Sequence, residues 1–472
     1  MKRILGALLA IFVSITLLAA EGSAPKYVFY FIGDGMGINQ VIGTGEYNEG
    51  TGAGPAVVNF SQFPVRGFIT THSVTSLVTD SAAAGTALAT GVKTYNSAIG
   101  LNISGQKVTN LCEWAKAAGF GTGVATTVGI NHATPASFFA HTRVRGNYED
   151  IAFQYMSAPV DFGAGGGFIT EKNSGHDAAF FEQRARQSGI TVLKGKDTFP
   201  GIENRTGRVL CLSAKEQTSL PYAIDREEDD TTLPQFVDAG IRYLWANYGE
   251  KGFFFMVEGG KIDNGGHAND AAACFQELND FADAIDVALD FYLQHPDETL
   301  ILVTADHETG GLMLGAGQYE MHPDRLAKQH VSVDALTALF RKTFFPEKEE
   351  DYITPSWEQI QDFFKENLGL WDSVDVDRRA EAVLKDVYDR TFGRDGNRDE
   401  SVENLYSTNS RIVAQAVNVL DRAAGYNWSF GSHSGSPVGL YVVGCGADAF
   451  WSVHDNAQIA PTIAKLAGYK RF

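Results

Sequence analysis

The sequence predicts an α/β fold built on a central, mostly parallel sheet flanked by helices. Short β-rich apolar runs recur along the chain, each bordered by Gly, Asp, Glu or His. The runs are continuous rather than alternating, as in strands buried on both faces. Helical patterns lie between them, so successive strands require crossover connections. At 472 residues, 44% hydrophobic and 20% charged, the chain is long enough to bury such a core.

The first run is Tyr27–Ile32, followed by Gly33-Asp34-Gly35. A helix is expected over Asn110–Ala118, closed by Gly119. Thr122–Thr127 leads into Val128-Gly129-Ile130-Asn131-His132, and Phe253–Val257 into Glu258. Ala268–Gln294 reads as one helix, with Phe275, Leu278, Phe281, Ala282, Ile285 and Leu289 on its apolar face. Leu300–Thr304 precedes Asp306-His307, and Leu440–Val443 follows His433. Ligands of open α/β sheets gather beyond the carboxyl ends of the strands, and four of these five runs deliver polar residues there. The segment from about 308 to 427 differs. It is charged, with amphipathic pieces at Ser332–Lys342 and Trp357–Asn367 and a polar loop at Gly393–Glu400. It reads as a helical insertion, either a cap beside the site or a peripheral subdomain.

Residues 1–24 read as a secretory signal peptide: Met1-Lys2-Arg3, an apolar Ile4–Leu18, then small residues to Ala24. The rival reading is a membrane anchor, for which the apolar run is short. Export to the periplasm or medium is therefore expected, with no membrane association after cleavage and residues 25–472 as the mature catalytic unit. Export permits disulfides, but Cys112, Cys211, Cys274 and Cys445 have wide spacings, and three of them (Cys112, Cys211, Cys445) sit in apolar stretches that suit buried thiols. The net charge of −19 argues against nucleic acid as a stable partner.

Several constellations carry chemistry. Asp263 and His267, four apart, share a face if their segment is helical, which makes half of a zinc site. Glu258 stands where an oxygen ligand for Mg²⁺ belongs. A strand-to-helix turn with capping polar residues is the alternative. Asp306-His307 followed by Gly310-Gly311 could reach one ion where the backbone bends, and Asp34 and His433 are further candidate ligands. Ser81 precedes a run of small, helix-prone residues, so its hydroxyl would sit at a helix N-terminus, where anions are favoured. It could equally be a mere N-cap. No Gly-x-Ser-x-Gly elbow surrounds it.

Together these motifs resemble the alkaline phosphatase family. The resemblance rests on Gly33-Asp34-Gly35-Met36-Gly37, Thr79-Asp80-Ser81 with the alanines after it, His132-Ala133-Thr134-Pro135-Ala136, Glu258-Gly259-Gly260 with Asp263 and His267, Ala305-Asp306-His307-Glu308-Thr309-Gly310-Gly311, and His433. The fold it implies is the three-layer sandwich of that family. It implies Ser81 as the phosphorylated nucleophile and hydrolysis of small phosphate monoesters. It implies one zinc on Asp263, His267 and His433 and a second on Asp34, Asp306 and His307. Mg²⁺ would be held by Asp34, Glu258 and Thr134, with Ser81 beside the metals. Arg145 would clamp phosphate, oriented by Asp80, with Arg143 as its rival. Many relatives are dimers, so a homodimer is a further expectation. Two positions depart from much of the family. His132 stands where some members carry Asp, which leaves the third metal open, and Asn264 stands where many have Lys or His near phosphate. A phosphodiesterase or other ester hydrolase of the same superfamily is the alternative activity, and a non-catalytic metal or phosphate binder is the alternative from another class.

Overall fold

The computed structural model describes residues 24–171, 175–215, 218–315, 319–345, 353–393 and 399–469. The expected signal peptide lies outside them except for Ala24. The core is a nine-stranded sheet. Its strands are β1 (Tyr27–Gly33), β2 (Val65–Ile69), β3 (Gly121–Thr126), β4 (Phe162–Gly165), β5 (Thr191–Lys194), β6 (Val209–Leu212), β7 (Phe253–Gly259), β8 (Thr299–Ala305) and β9 (Val438–Gly444). Their spatial order is β2-β9-β8-β1-β7-β3-β4-β6-β5. Strand β9 runs antiparallel to β8 and β2, and the pairings from β8 through to β5 are parallel. The five runs legible in the sequence are β1, β3, β7, β8 and β9. The other four are short or glycine-rich, such as FGAG in β4, and carry little periodic signal.

Helices cover both faces: α1 (Ile38–Thr51), α2 (Ser81–Thr90), α3 (Leu111–Ala117), α4 (Leu233–Tyr248), α5 (Lys261–Ala268), α6 (Ala271–Gln294), α7 (Val333–Phe344), α8 (Trp357–Leu368), α9 (Arg378–Phe392), α10 (Arg411–Ala424) and α11 (Ile459–Leu466). Alternation along β1 shows the layers. Phe29 and Phe31 meet Phe291 and Phe281 of α6, while Tyr30 faces the opposite way onto Phe138. Each such aromatic pair adds about 0.5–1.5 kcal/mol beyond its buried area. Asn110 caps α3 with a full capping box, inside the boundaries the sequence predicts.

The expected helix over Ala268–Gln294 is present as α6 but starts three residues later, at Ala271, and Ala268 closes the separate helix α5. Asn269 adopts a left-handed φ of 53°, and the Asp270 side chain accepts from Ala273 N–H to cap α6. Asn and Asp favour this break because their short polar side chains replace helical hydrogen bonds. The residues before the break form α5, which carries Asp263 and His267.

Helices α7–α10 build a second apolar cluster with α1 and α6, containing Leu336, Phe340, Phe364, Leu384, Ile412 and Leu420. From this lobe a hairpin of Ser401–Glu403 and Thr408–Ser410 projects. Cys112 and Cys211 are buried free thiols as expected, Cys274 is buried too, and Cys445, also expected to be buried, is half-buried. Among the described residues no helix is long and apolar enough to cross a membrane.

Candidate active site

The polar residues converge where β1, β7 and β8 end. Asp34 follows β1, Asp306 and His307 follow β8, and Glu258 is the next-to-last residue of β7. Gly35 turns the chain with a φ of 71°, and its N–H donates to Asp306 Oδ1 at 3.1 Å. A Cβ there would lie 2.7 Å from Asp263 Oδ1, so only glycine leaves room for that carboxylate. On α5, Asp263 and His267 share one face, with Oδ2 to Nε2 at 3.4 Å. His433 arrives from far along the chain because His433–Ser434 pairs antiparallel with Glu308–Thr309. Glu308 locks that pairing by accepting from Gly311 N–H and Gln40 Nε2, each at 2.9 Å, and from the Ser434 hydroxyl.

Three groups result, each with ligand atoms within 4.8 Å of one another: Asp263, His267 and His433; Asp34, Asp306 and His307; and Asp34, His132 and Glu258. Thr134 Oγ1 lies 3.4 Å from Asp34 Oδ2, beside the third. A further acidic group, Glu227, Asp229 and Asp230, gathers instead around the ammonium of Lys215.

The donor atoms of the three groups fit cations. His267 Nδ1 and His433 Nδ1 contact the carbonyls of Gly431 and Thr79 at 2.8 and 2.9 Å, so each carries its proton there. Both Nε2 atoms then present lone pairs, yet they face each other at 3.1 Å. Two lone pairs so placed repel unless a proton or a metal cation lies between them, and tetrahedral zinc spaces two imidazole nitrogens by about 3.3 Å, close to the distance seen. Asp34 Oδ1, Asp306 Oδ2, Glu258 Oε1 and His132 Nδ1 are buried without a hydrogen-bond partner. Burial, then Asp306, Asp263 and Glu258, holds the Asp34 carboxyl well above its ordinary range. Burial followed by the Asp263 charge pushes Asp306 up to about 8, and burial pushes Glu258 up to about 7. Burial and then Arg145 push His132 down to about 3. In the second and third groups, crowded carboxylates that resist ionisation lie beside the imidazoles of His307 and His132, which resist protonation, a donor set that divalent cations relieve. In the first group, against the effect of burial, His267 instead holds Asp263 well below its ordinary range, and Asp263 raises His267.

Ser81 is fully buried at the first residue of α2. It is not the cap: Asp80 is, accepting from Ala83 N–H. Ser81 Oγ lies 3.2 Å from His307 Nε2 and 3.4 Å from Arg145 Nη1. Arg145 also reaches Asp80 Oδ2 at 3.4 Å and His132 Nε2 at 3.1 Å. Burial weakens its cation, but Tyr406, Asp80, Tyr148 and Asp34 outweigh that and hold it above its ordinary value. Arg143 is exposed and stands beside Gly105, away from Ser81. Asn264 is half-buried on α5, turned about 100° from Asp263, and does not line the cleft. The cleft of about 570 Å³ above Ser81 is walled by Val78, Thr79, Arg145, Tyr148, His267, Leu405, Tyr406 and His433.

Three contributors escape the sequence reading. Tyr406 donates from its hydroxyl to Asp263 Oδ2 at 2.8 Å. Thr309 bonds Asp263 Oδ1 and Thr126 bonds Glu258 Oε2. The two threonines look like ordinary strand residues. Tyr406 left one trace, a Leu405-Tyr406 pair between Asn404 and Ser407 inside a charged segment, where nothing apolar is needed for a turn.

The family model for alkaline phosphatase matches residues 25–162 and 181–469. The chain is 30% identical to alkaline phosphatase 4 of Bacillus subtilis over 93% of this chain and 88% of that protein. It is 29% identical to the repressible alkaline phosphatase of Saccharomyces cerevisiae, over 94% and 81%. Among solved structures it is similar to a cold-active alkaline phosphatase of a psychrophilic Shewanella species, with 30% identity, a TM-score of 0.73 and coverage of 93% and 99%. A variant of the alkaline phosphatase of the Antarctic bacterium TAB5, a His-to-Glu substitution described with Mg bound in its M3 site, is 26% identical with a TM-score of 0.64 and coverage of 95% and 99%.

Proposed function

The chain belongs to the alkaline phosphatase family, a metal-dependent phosphomonoester hydrolase, and from that premise we propose that it acts through a phosphoserine formed on Ser81. The observation that carries this reading is the seat of Ser81: a fully buried hydroxyl at the start of α2, within 3.4 Å of Arg145 and 3.2 Å of His307. The first turn of a helix offers backbone N–H groups and a positive field to an incoming phosphoryl group. Arg145, whose Nη1 lies 3.4 Å from Asp80 Oδ2, would grip two of its oxygens as a planar fork. Ser81 Oγ attacks phosphorus in line, a P–O bond forms, and the bond to the leaving alcohol breaks on the far side. Water then attacks the phosphoserine from the vacated side and returns Ser81 with inorganic phosphate.

The cations we propose are two zinc ions and one magnesium ion. Asp263, His267 and His433 would hold one zinc, Asp34, Asp306 and His307 the other, and Asp34, Glu258 and Thr134 the magnesium. Bound there, they would supply the Lewis acidity that steadies attacking and leaving oxygens. His132 brings an imidazole to the third group in place of an oxygen donor, its lone-pair nitrogen is approached by Arg145 Nη2 at 3.1 Å, and Mg²⁺ prefers oxygen. The neighbouring structure with Mg in its M3 site has a carboxylate in place of a histidine. We therefore propose that His132 makes the third site a weak one for Mg²⁺. Export follows from the basic and apolar N-terminus, and the N-terminal residue of the mature protein tests it.

The test of the central proposal is acid trapping with labelled phosphate. Label on Ser81, and none in Ser81→Ala, is expected, together with a loss of turnover of several orders of magnitude. Label on another residue would overturn it. A panel of monoester, diester and sulfate ester separates this activity from its relatives.

A further inference from the structure

We propose that Tyr406 is a positioning residue for Asp263, through which the helical lobe sets how firmly the first metal cluster holds its ion. The proposal rests on the metal reading of Asp263, His267 and His433. The Tyr406 hydroxyl donates to Asp263 Oδ2 at 2.8 Å, and the Thr309 hydroxyl bonds Oδ1, so both carboxylate oxygens are fixed from outside. The Tyr406 ring stands edge-on to the His267 ring at 5.4 Å, which limits the imidazole to one orientation.

The hairpin tip that carries Tyr406 is built to hold it there. Asn404 Oδ1 accepts from the N–H groups of Tyr406 and Ser407 at 2.8 and 2.7 Å, and Asn404 N–H closes the turn on the Ser407 carbonyl at 2.9 Å. Ser407 Oγ and Asn409 Nδ2 both donate to Asp334 Oδ1 on α7, at 2.9 and 2.8 Å. A chain of hydrogen bonds therefore runs from α7 through the tip to a candidate metal ligand. Outer partners of this kind orient the ligand and raise its donor strength, and their loss typically lowers metal affinity about 10–100-fold.

The test uses the full-length protein and Tyr406→Phe, which keeps the ring and removes only the hydroxyl. Zinc retention is measured against a competing chelator, with zinc content per chain and with kcat and KM at limiting and excess zinc. We expect zinc affinity about 10–100-fold weaker and kcat recovering toward the parent value in excess zinc. Asp334→Ala, which removes the acceptor of both bonds and so loosens the tip from α7, is expected to shift zinc retention the same way. The double variant is expected to lose no more than Tyr406→Phe alone. Parent-like zinc retention in Tyr406→Phe would overturn the proposal, including the case in which KM alone rises. If the parent protein held zinc but hydrolysed no phosphomonoester, the proposed function would fall while the zinc comparison still decided the role of Tyr406.

Discussion

Replacing Gly35 by alanine should damage the site more than the fold, and Gly52 supplies a matched control. Both glycines have left-handed φ values, 71° and 74°. A Cβ at Gly52 meets nothing within 4 Å, so Gly52→Ala carries only the conformational cost, about 1–2 kcal/mol. A Cβ at Gly35 would lie 2.7 Å from Asp263 Oδ1, 2.8 Å from Asp263 Cα and 2.9 Å from Thr309 Oγ1. To reach ordinary contact, the start of α5 must retreat by roughly half an ångström, and overpacking of this kind adds about 1–3 kcal/mol. Gly35→Ala should therefore cost about 2–5 kcal/mol in total. The displaced group is a candidate zinc ligand, and misplacement by about 1 Å costs on the order of 100-fold in rate. We expect kcat/KM to fall about 10–100-fold in Gly35→Ala and to stay at the parent value in Gly52→Ala. Denaturant unfolding, zinc content and hydrolysis of a chromogenic monoester measure the three effects. Equal losses in both variants, or full activity in Gly35→Ala, would refute the steric argument.

Arg145→Lys should impair the enzyme strongly, about 100-fold or more in kcat/KM, because a point charge cannot grip two phosphoryl oxygens as the planar fork does. Arg143→Ala, at an exposed position, should change little, and steady-state kinetics on both variants checks the assignment. Metal removal should make stability depend on pH. Asp306 is an acid whose folded value of about 8 lies above its ordinary one, so the metal-free fold retains a proton that the unfolded chain releases. Its stability should fall as pH rises from about 4 to about 8, while the metal-loaded protein, with Asp306 ionised against a cation, should not follow. Thermal unfolding with and without chelator across that range would show the gap widening, and a constant gap would count against the cluster. His132→Asp should strengthen Mg²⁺ binding by adding an anionic oxygen donor, to be read by calorimetric titration of the metal-stripped protein.

The elements that the sequence reveals are those whose local pattern matches their environment. Strand β1 is seven residues buried without a break, and its continuous apolar run announces it. Strand β4 is equally buried, but as Phe-Gly-Ala-Gly it has too little side chain to show a pattern. Its glycines answer to tertiary contacts, since a Cβ at Gly163 would strike Tyr155. The start of α6 is misplaced by three residues for a related reason: the alanines at 268 and 271–273 look alike in the sequence, and only the Asn269-Asp270 pair marks the cap. Within the site, the spacing of Asp263 and His267 is local and readable. The grouping with His433 depends on a two-residue bridge to Glu308–Thr309, which no local pattern encodes. The family resemblance supplied that grouping beforehand, and it could not supply Tyr406, which arrives on a hairpin from the lobe.

The arrangement also bears on how a chain of net charge −19 can receive an anion. Without cations, Asp34, Glu258, Asp263 and Asp306 crowd the floor of the cleft, with Arg145 as the opposing charge beside Ser81. Such a floor, with several of its carboxyl groups held protonated, offers a phosphate ester little attraction beyond Arg145. The three divalent ions we propose would carry six charges against four carboxylates, and with Arg145 the centre would become positive. Burial then magnifies that local sign, because the field of a desolvated ion falls off slowly in a low-dielectric pocket while the outer acidic surface is screened within about 8–10 Å by salt. An acidic surface is therefore compatible with the anion-binding centre we propose, in which the same carboxylates would make substrate binding conditional on metal.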